Sequence, residues 1–445
     1  MQTARTIAER PARLTTRSSA PMLIERLRAA RARTLDFAAL LTGEQQMGPL
    51  LPIVNPPRWE IAHVAWFQEY WCLRYRDGVA WGDSLIDDAD PRYNSAILAH
   101  DDRWRAPLLP FDEVLRYLDE VLARVIARLE REPDNSTLRY FAELAAAHEE
   151  MHAEAFTYTR QTHGYRAPAV SDTSPCGSSP CAGDVEVPGG EFHLGAPADD
   201  RFKFDNEKWS HPVRVAPFRM SRTAVTYGEF AAFVDDHGYA RRELWCAEGW
   251  QWRARTGADM PLYWSRAPDG WYCRRYDAVV PLPLDAAVVH VNWYEANAYC
   301  NWAGRRLPTE AQWEQAAATT ADDPGANRRK RAYPWGEDVP RLEHANLHGG
   351  PGSVAPVTAY AKGDSAWGCR QLFGNVWEWT ADWFNAFPGF VCDPYKEYSA
   401  PWFGNHKVLR GGCFATTPAL LRNTWRNFYM PDRRDVFAGF RTCAS

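Results

Sequence analysis

The sequence predicts an α+β protein of two domains, a four-helix bundle followed by a fold of short strands and long loops. Three observations predict it. The first 165 residues carry four segments of helical periodicity; a stretch rich in Pro, Ser, Gly and Ala follows at 166–184; beyond it Gly, Pro and Trp punctuate short segments with little periodicity. The expected organisation is a disordered lead-in over 1–19, the bundle over 20–165, a linker over 166–184 and the second domain over 185–445.

The first helix is expected over 20–43, where Leu23, Leu27, Ala30, Phe37 and Leu41 mark an apolar stripe. The second, 58–77, has Trp59, Ala62, His63, Trp66 and Tyr70 on one face. Residues 81–110 are too long and polar for a turn, and a loop of that length in a compact domain is functional or disordered. A clean 3.6-residue period over 111–131 gives the third helix, and 135–163 the fourth, with Asn135 or Ser136 as its cap. In the second domain two helical pieces stand out, 225–237 and 292–318, the latter broken where Pro308 stops one helix and Thr309 caps the next.

Composition narrows the function. A net charge of −5 gives no electrostatic case for nucleic acid, and no run of about 18 apolar residues suggests a membrane span. The basic N-terminus has no apolar signal core, and ten scattered cysteines form no compact framework, so a cytoplasmic, reduced protein is expected, with Cys176 and Cys181 paired or free. Nothing points to an obligate protein partner. The 21 tryptophans suit a loop-rich fold pinned by large side chains.

The chemistry concentrates in AHEEMHAE, 147–154. His148 and His152, four apart on a helix, project from one face and form a two-ligand unit for a divalent metal. They share the inward stripe with Leu144, Ala145, Met151, Ala155 and Phe156, where an unpaired imidazole is costly. His63, inside the apolar stripe of the second helix, is the candidate third ligand. Three neutral imidazoles leave up to three positions open on an octahedral metal, and zinc also accepts three histidines with water, so the ligands alone do not choose the metal. Glu149 or Glu150 either orients a ligand histidine or faces solvent.

Seven ordered segments of the second domain, GGEFHLG (189–195), VTYGEFAAFV (225–234), VNWYEANAYCNWAGRRLPTEAQWEQAA (291–317), YPWGE (333–337), LFGNVWEWTADW (372–383), VLRGGCFAT (408–416) and FAGFRTC (437–443), resemble the formylglycine-generating-enzyme fold, a relative of C-type lectins. Thr416 and Leu421 stand where those enzymes have a cysteine pair, which argues against peptidyl-cysteine oxidation. The N-terminal part resembles a DinB-like bundle. Together, with WEIAHVAWFQEYW (59–71), YNSAILAHDDRW (93–104) and RNFYMPDRRDVFAGFR (426–441), the chain resembles the ergothioneine sulfoxide synthases and the related selenoneine synthases.

That resemblance implies a non-haem iron(II) centre on His63, His148 and His152, using O2 to join sulfur or selenium to C2 of the imidazole of hercynine (trimethylhistidine). It implies a hercynine-binding pair in Asn427 and Phe428, and makes Tyr429 and Tyr93 candidate proton or electron donors. Trp377 and Trp379 are expected to support the fold. The chain departs from the sulfoxide synthases that use gamma-glutamylcysteine. His100 replaces the first of two carboxylate-binding arginines, leaving Arg103; Met151 replaces a Gln, Tyr429 an Asp, and their catalytic Tyr falls at or near Phe390 by ungapped counting. The lost clamp favours a less charged donor such as a selenosugar, with cysteine or gamma-glutamylcysteine as alternatives. A zinc-dependent thiol transferase and a non-enzymatic binding module are the rival classes.

Overall fold

Four long helices wrap the first domain. The computed structural model describes residues 14–76, 78–168, 175–323 and 330–445. Most of the expected lead-in (1–13) and part of the expected linker (169–174) lie outside the described residues. Helices α1 (Ala20–Ala39), α2 (Pro57–Glu69), α4 (Phe111–Arg131) and α5 (Ser136–His163) pack as the bundle, with the short α3 (Ala89–Tyr93) lying against α2. The fourth helix has the expected cap: Asn135 Oδ1 accepts from the Leu138 amide at 3.0 Å, and Gly164 closes the other end at φ 68°.

Two boundaries differ from the sequence reading. Helix α1 stops at Ala39, short of 43, and α2 ends at Glu69 and continues as one wide π turn, Tyr70–Arg74, before the hairpin of β1 (Tyr75–Arg76) and β2 (Val79–Ala80). The wide turn delivers Arg74 to Asp90 of α3, at 2.9 and 2.7 Å. Trp66 Nε1 donates to the same carboxylate at 2.7 Å, and Trp59 Nε1 to the Arg92 carbonyl at 2.8 Å. The long polar segment is therefore an ordered strap bound across α2.

The bundle interior holds a charged network. Arg31 of α1, 2% exposed, donates to Glu149 of α5 at 2.8 Å, to Gln68 of α2 at 2.8 Å and to the Leu118 carbonyl of α4, tying all four helices. Glu150 meets Arg26 at 2.6 Å and Arg33 at 3.2 Å. Glu149 and Glu150 thus neither face solvent nor touch a ligand histidine.

The second domain begins with β3 (Asp184–Val187), β4 (Gly190–Leu194), β5 (His211–Val215) and β6 (Phe218–Ser221). Helices α6 (Tyr227–Asp235) and α7 (Ala247–Thr256), a meander of β7 (Trp264–Ala267), β8 (Gly270–Arg275) and β9 (Ala278–Pro281), then α8 (Trp293–Trp302), β10 (Arg305–Arg306) and α9 (Glu310–Ala318) follow. Last come β11 (Trp377–Trp383), β12 (Lys407–Arg410), β13 (Asn427–Tyr429), β14 (Ala438–Gly439) and β15 (Cys443–Ala444). The sheet that positions the site has the order β13-β12-β11-β14, antiparallel except for the parallel β11–β14 pair. The α8–α9 break comes at Gly304, φ 64°, ahead of Pro308, while Thr309 caps α9 as expected. Helix α7 is absent from the sequence reading because it buries only Gly249 and Trp252 and so shows no stripe. No disulfide links the ten cysteines, and no described helix is long and apolar enough to cross a membrane.

Candidate metal centre

Helices α2 and α5 bring three histidines together. His63, His148 and His152 each offer a ring nitrogen, and these atoms lie within 4.8 Å of one another. His63 Nδ1 meets the Tyr93 carbonyl at 2.7 Å, and His152 Nδ1 meets Glu60 Oε1 at 2.6 Å. A carbonyl oxygen only accepts, so His63 Nδ1 carries the proton and Nε2 presents a lone pair; the Glu60 carboxylate imposes the same tautomer on His152. Nδ1 of His148 is buried without a partner, against the Phe67 ring stacked at 3.6 Å. Burial, then the neighbouring imidazole of His152, holds His63 and His148 well below the ordinary histidine range. Both are neutral at pH 7, as ligands must be. Buried neutral nitrogens converging in this way fit a divalent metal.

Glu60, bound to His152, stands in the orienting position that the sequence reading offered to Glu149 or Glu150 as the alternative to facing solvent. It lies one helical turn before His63, and that i, i+3 spacing was the available signal. Glu60→Gln keeps the shape and removes the charge. Its expected effect is a roughly 10–100-fold weaker affinity for the metal, measured by competition with a chelator; unchanged affinity would deny Glu60 this role.

A cavity of about 350 Å³ opens beside His148 and His152. The expected residues Met151, Asn427, Phe428 and Tyr429 line it, as do Tyr395, Tyr398, Trp402 and His406, which the sequence reading missed. Trp377, expected only to support the fold, is also part of the wall; its Nε1 donates to Glu154 Oε1 at 2.6 Å. The second oxygen of Glu154 accepts from the hydroxyl of Thr416, so this one carboxylate joins α5 to the second domain. Burial pushes its pKa up. The wall holds three carboxylates, Glu60, Glu154 and Glu397, and among its described residues no lysine or arginine.

Four expected residues are placed elsewhere. The Tyr93 hydroxyl accepts from the Leu109 amide at 2.9 Å, and it is the Tyr93 carbonyl that reaches the centre, through His63. His100 is held by Asp101 and the Val54 carbonyl, both at 2.9 Å. Arg103 lies one residue behind the cavity: its guanidinium sits 4.0 Å over Trp59 and donates to Asn55 at 2.5 Å, with Asn55 in the wall. Burial lowers its pKa to about 10, opposed by Glu60. Phe390 packs on Phe403 at 5.1 Å, outside the cavity. Phe390 lies on the connection between β11 and β12, and on that connection it is Tyr395 and Tyr398 that stand in the cavity wall. Asp393 is gripped by Tyr140 at 2.8 Å and Lys208 at 2.5 Å, and Ser399 by Asp205 at 2.8 Å, which lowers Tyr395 and Tyr398 onto the cavity between those anchors.

Comparison with known proteins agrees with this architecture. Residues 170–445 match the family described as sulfatase-modifying factor enzyme 1-like domain, and 26–156 match the DinB superfamily. The chain is 37% identical over 431 residues to the hercynine oxygenase of Mycolicibacterium smegmatis, covering 94% of this chain and 97% of that protein. Identity to the hercynine oxygenase of Mycobacterium tuberculosis is 38%, covering 93% and 96%. The formylglycine-generating enzyme of Thermomonospora curvata is 34% identical over 305 residues, covering 59% of this chain and 93% of its own.

Proposed function

This chain belongs to the hercynine oxygenase family, and on that premise we propose that it uses O2 to form a carbon–chalcogen bond at C2 of the hercynine imidazole, with iron(II) held by His63, His148 and His152. The proposed chalcogen donor is a selenosugar, which makes the product a selenium adduct of hercynine. An iron(II) ion on three imidazoles supplies a positive centre for O2 and for an anionic chalcogen.

The observation that carries this reading is the cavity wall. It combines two of the three histidines with an aromatic lining and three carboxylates, and has no lysine or arginine among its described residues. That chemistry suits an organic cation. Phe428, stacked on Phe384 at 4.2 Å, and Tyr398 beside it offer ring faces to a trimethylammonium group, an attraction that needs no hydrogen bond. Asn427 and Tyr429 border the same space. Tyr429 is the phenol we assign to proton movement at the imidazole, and Met151 packs against the bound substrate. The same wall disfavours a donor with two carboxylates. A thiol donor is the second reading, on one observation: Arg103 donates to Asn55, which stands in the cavity wall.

The test is anaerobic reconstitution with iron(II), followed by O2 and hercynine, with a selenosugar, gamma-glutamylcysteine or cysteine supplied in parallel and products read by mass. A selenium adduct from the selenosugar is expected. Adducts from thiols alone would return the chain to sulfur chemistry. No adduct from any donor, with stoichiometric zinc in the purified protein, would replace the oxygenase reading by a zinc-dependent transferase.

A further inference from the structure

A cavity of about 490 Å³ lies at the junction of the two domains and shares no wall residue with the cavity beside the histidines. Arg17, Arg26 and Glu143 reach it from the N-terminal side, and Lys203, Lys330, Arg331 and Arg422 from the second domain. Seven lysines and arginines stand in its wall against two carboxylates, Glu143 and Asp199. The cavity beside the metal centre has the opposite composition, three carboxylates and no lysine or arginine among its described residues.

The positive charge is only partly neutralised from behind. Arg26 meets Glu143 and Glu150, Lys330 meets Glu314, and Arg422 meets Glu207. Arg201 and Lys203 share the one carboxylate of Asp199, each at 2.7 Å. Arg17 and Arg331 form no ion pair among the described residues, and Nη1 of Arg331 is buried without a hydrogen-bond partner. Burial lowers the pKa of Arg331, opposed by Glu337, and also that of Lys203 and Lys330, opposed by Asp199 and Glu314. Cations held down by burial in this way gain from an anion placed among them.

We propose that this cavity is a second ligand site, and that it takes a small phosphate monoester bearing hydroxyl groups. Three features argue for the class. The surplus comes from both domains, so a compact dianion meets several cations at once where a single carboxylate does not. Guanidinium forks match phosphate oxygens bidentately, and lysine adds a point charge. The volume falls within the roughly 300–1,000 Å³ of small-molecule sites, which is room for more than a bare ion. Ser18 and Tyr333 bring hydroxyls to the same wall, partners for the hydroxylated remainder of the ester.

The probes are AMP, ribose 5-phosphate and inorganic phosphate, titrated by calorimetry into the iron-reconstituted full chain and again after chelation of the iron. At least one ester should bind about tenfold or more tightly than inorganic phosphate. The tighter ester names the source, nucleotide or sugar phosphate, and equal binding assigns the ribose phosphate that the two share. Arg17→Gln and Arg331→Gln break no ion pair, and each should weaken that binding about tenfold or more. Arg116→Gln, the same charge change at an exposed position of α4 outside the wall, should leave it within about twofold. Removing the iron should leave it unchanged, because the two walls are separate. Arg17 is exposed, so its variant decides the matter if Arg331→Gln lowers the melting temperature. The site is overturned if neither ester binds, if inorganic phosphate binds as tightly as both, if binding survives both substitutions or falls equally in Arg116→Gln, or if it disappears with the iron.

Discussion

His63→Ala should yield a protein purified without its metal and without measurable turnover. His63 supplies one of three converging nitrogens, and Tyr93 holds its ring so that Nε2 faces the other two. Losing an orienting partner costs roughly 10–100-fold in metal affinity, and losing the ligand itself removes a coordinate bond outright, so the affinity should fall well beyond that range. Fold loss is a separate matter. The site is buried between Trp59, stacked at 4.9 Å, and Trp66 at 5.6 Å, so the truncation leaves a hole costing about 2–3 kcal/mol, which a bundle of this size tolerates. Metal content by elemental analysis, read beside an unchanged far-UV circular dichroism spectrum, separates the two effects. Metal retained at the parent stoichiometry would mean that the three-histidine assignment is wrong.

What could be read in the sequence was whatever depends on one helix at a time. The i, i+4 pair at His148 and His152 and the apolar face carrying His63 are local patterns that the fold brings together, the Asn427–Phe428–Tyr429 run lines the cavity beside them, and the cap at Asn135 is local to α5. What escaped depends on pairing across large separations. Glu149 and Glu150 read as free carboxylates because their arginine partners lie more than 100 positions earlier, on α1. Tyr395 and Tyr398 sit in a loop anchored by Asp205, Lys208 and Tyr140, far away in sequence, so no local pattern marks them as cavity residues. Arg103 could be found but not its engagement, since a guanidinium stacked on Trp59 and bonded to Asn55 is a tertiary arrangement. The RGG turn was legible as a motif, and its reason is steric: at Gly411, φ 97°, a Cβ would lie 2.2 Å from the Leu372 carbonyl oxygen.

The largest expected effect on stability lies outside the site, at Arg441. Its side chain and that of Glu378 are fully buried. Nε and Nη2 donate to the two carboxylate oxygens at 2.7 and 2.8 Å, Nη1 donates to the Ser221 and Arg222 carbonyls at 3.2 and 3.0 Å, and Nη2 also donates to the Arg370 carbonyl at 2.9 Å. Arg441→Ala removes every one of these donors and leaves Glu378 buried with only Trp313 Nε1, at 2.8 Å, as a named side-chain partner. Stranding one half of a buried ion pair costs about 3–5 kcal/mol, far more than the pair itself contributes over an apolar replacement. Arg441→Met with Glu378→Met tests that distinction. It removes the stranded charge, yet leaves Trp313 and three carbonyls without these partners, so it should recover only part of the loss. The damage should also reach the substrate. Glu378 follows Trp377 on β11, where it faces Gly439 of β14 in register, so loosening this junction frees the Trp377 wall and its bond to Glu154. Denaturant unfolding should therefore show the single variant least stable and the double variant between it and the parent, with weaker hercynine binding in the single variant at unchanged metal content. A loss below about 1 kcal/mol in the single variant would mean that water or a rearranged partner satisfies Glu378, and that the junction is not what fixes the wall.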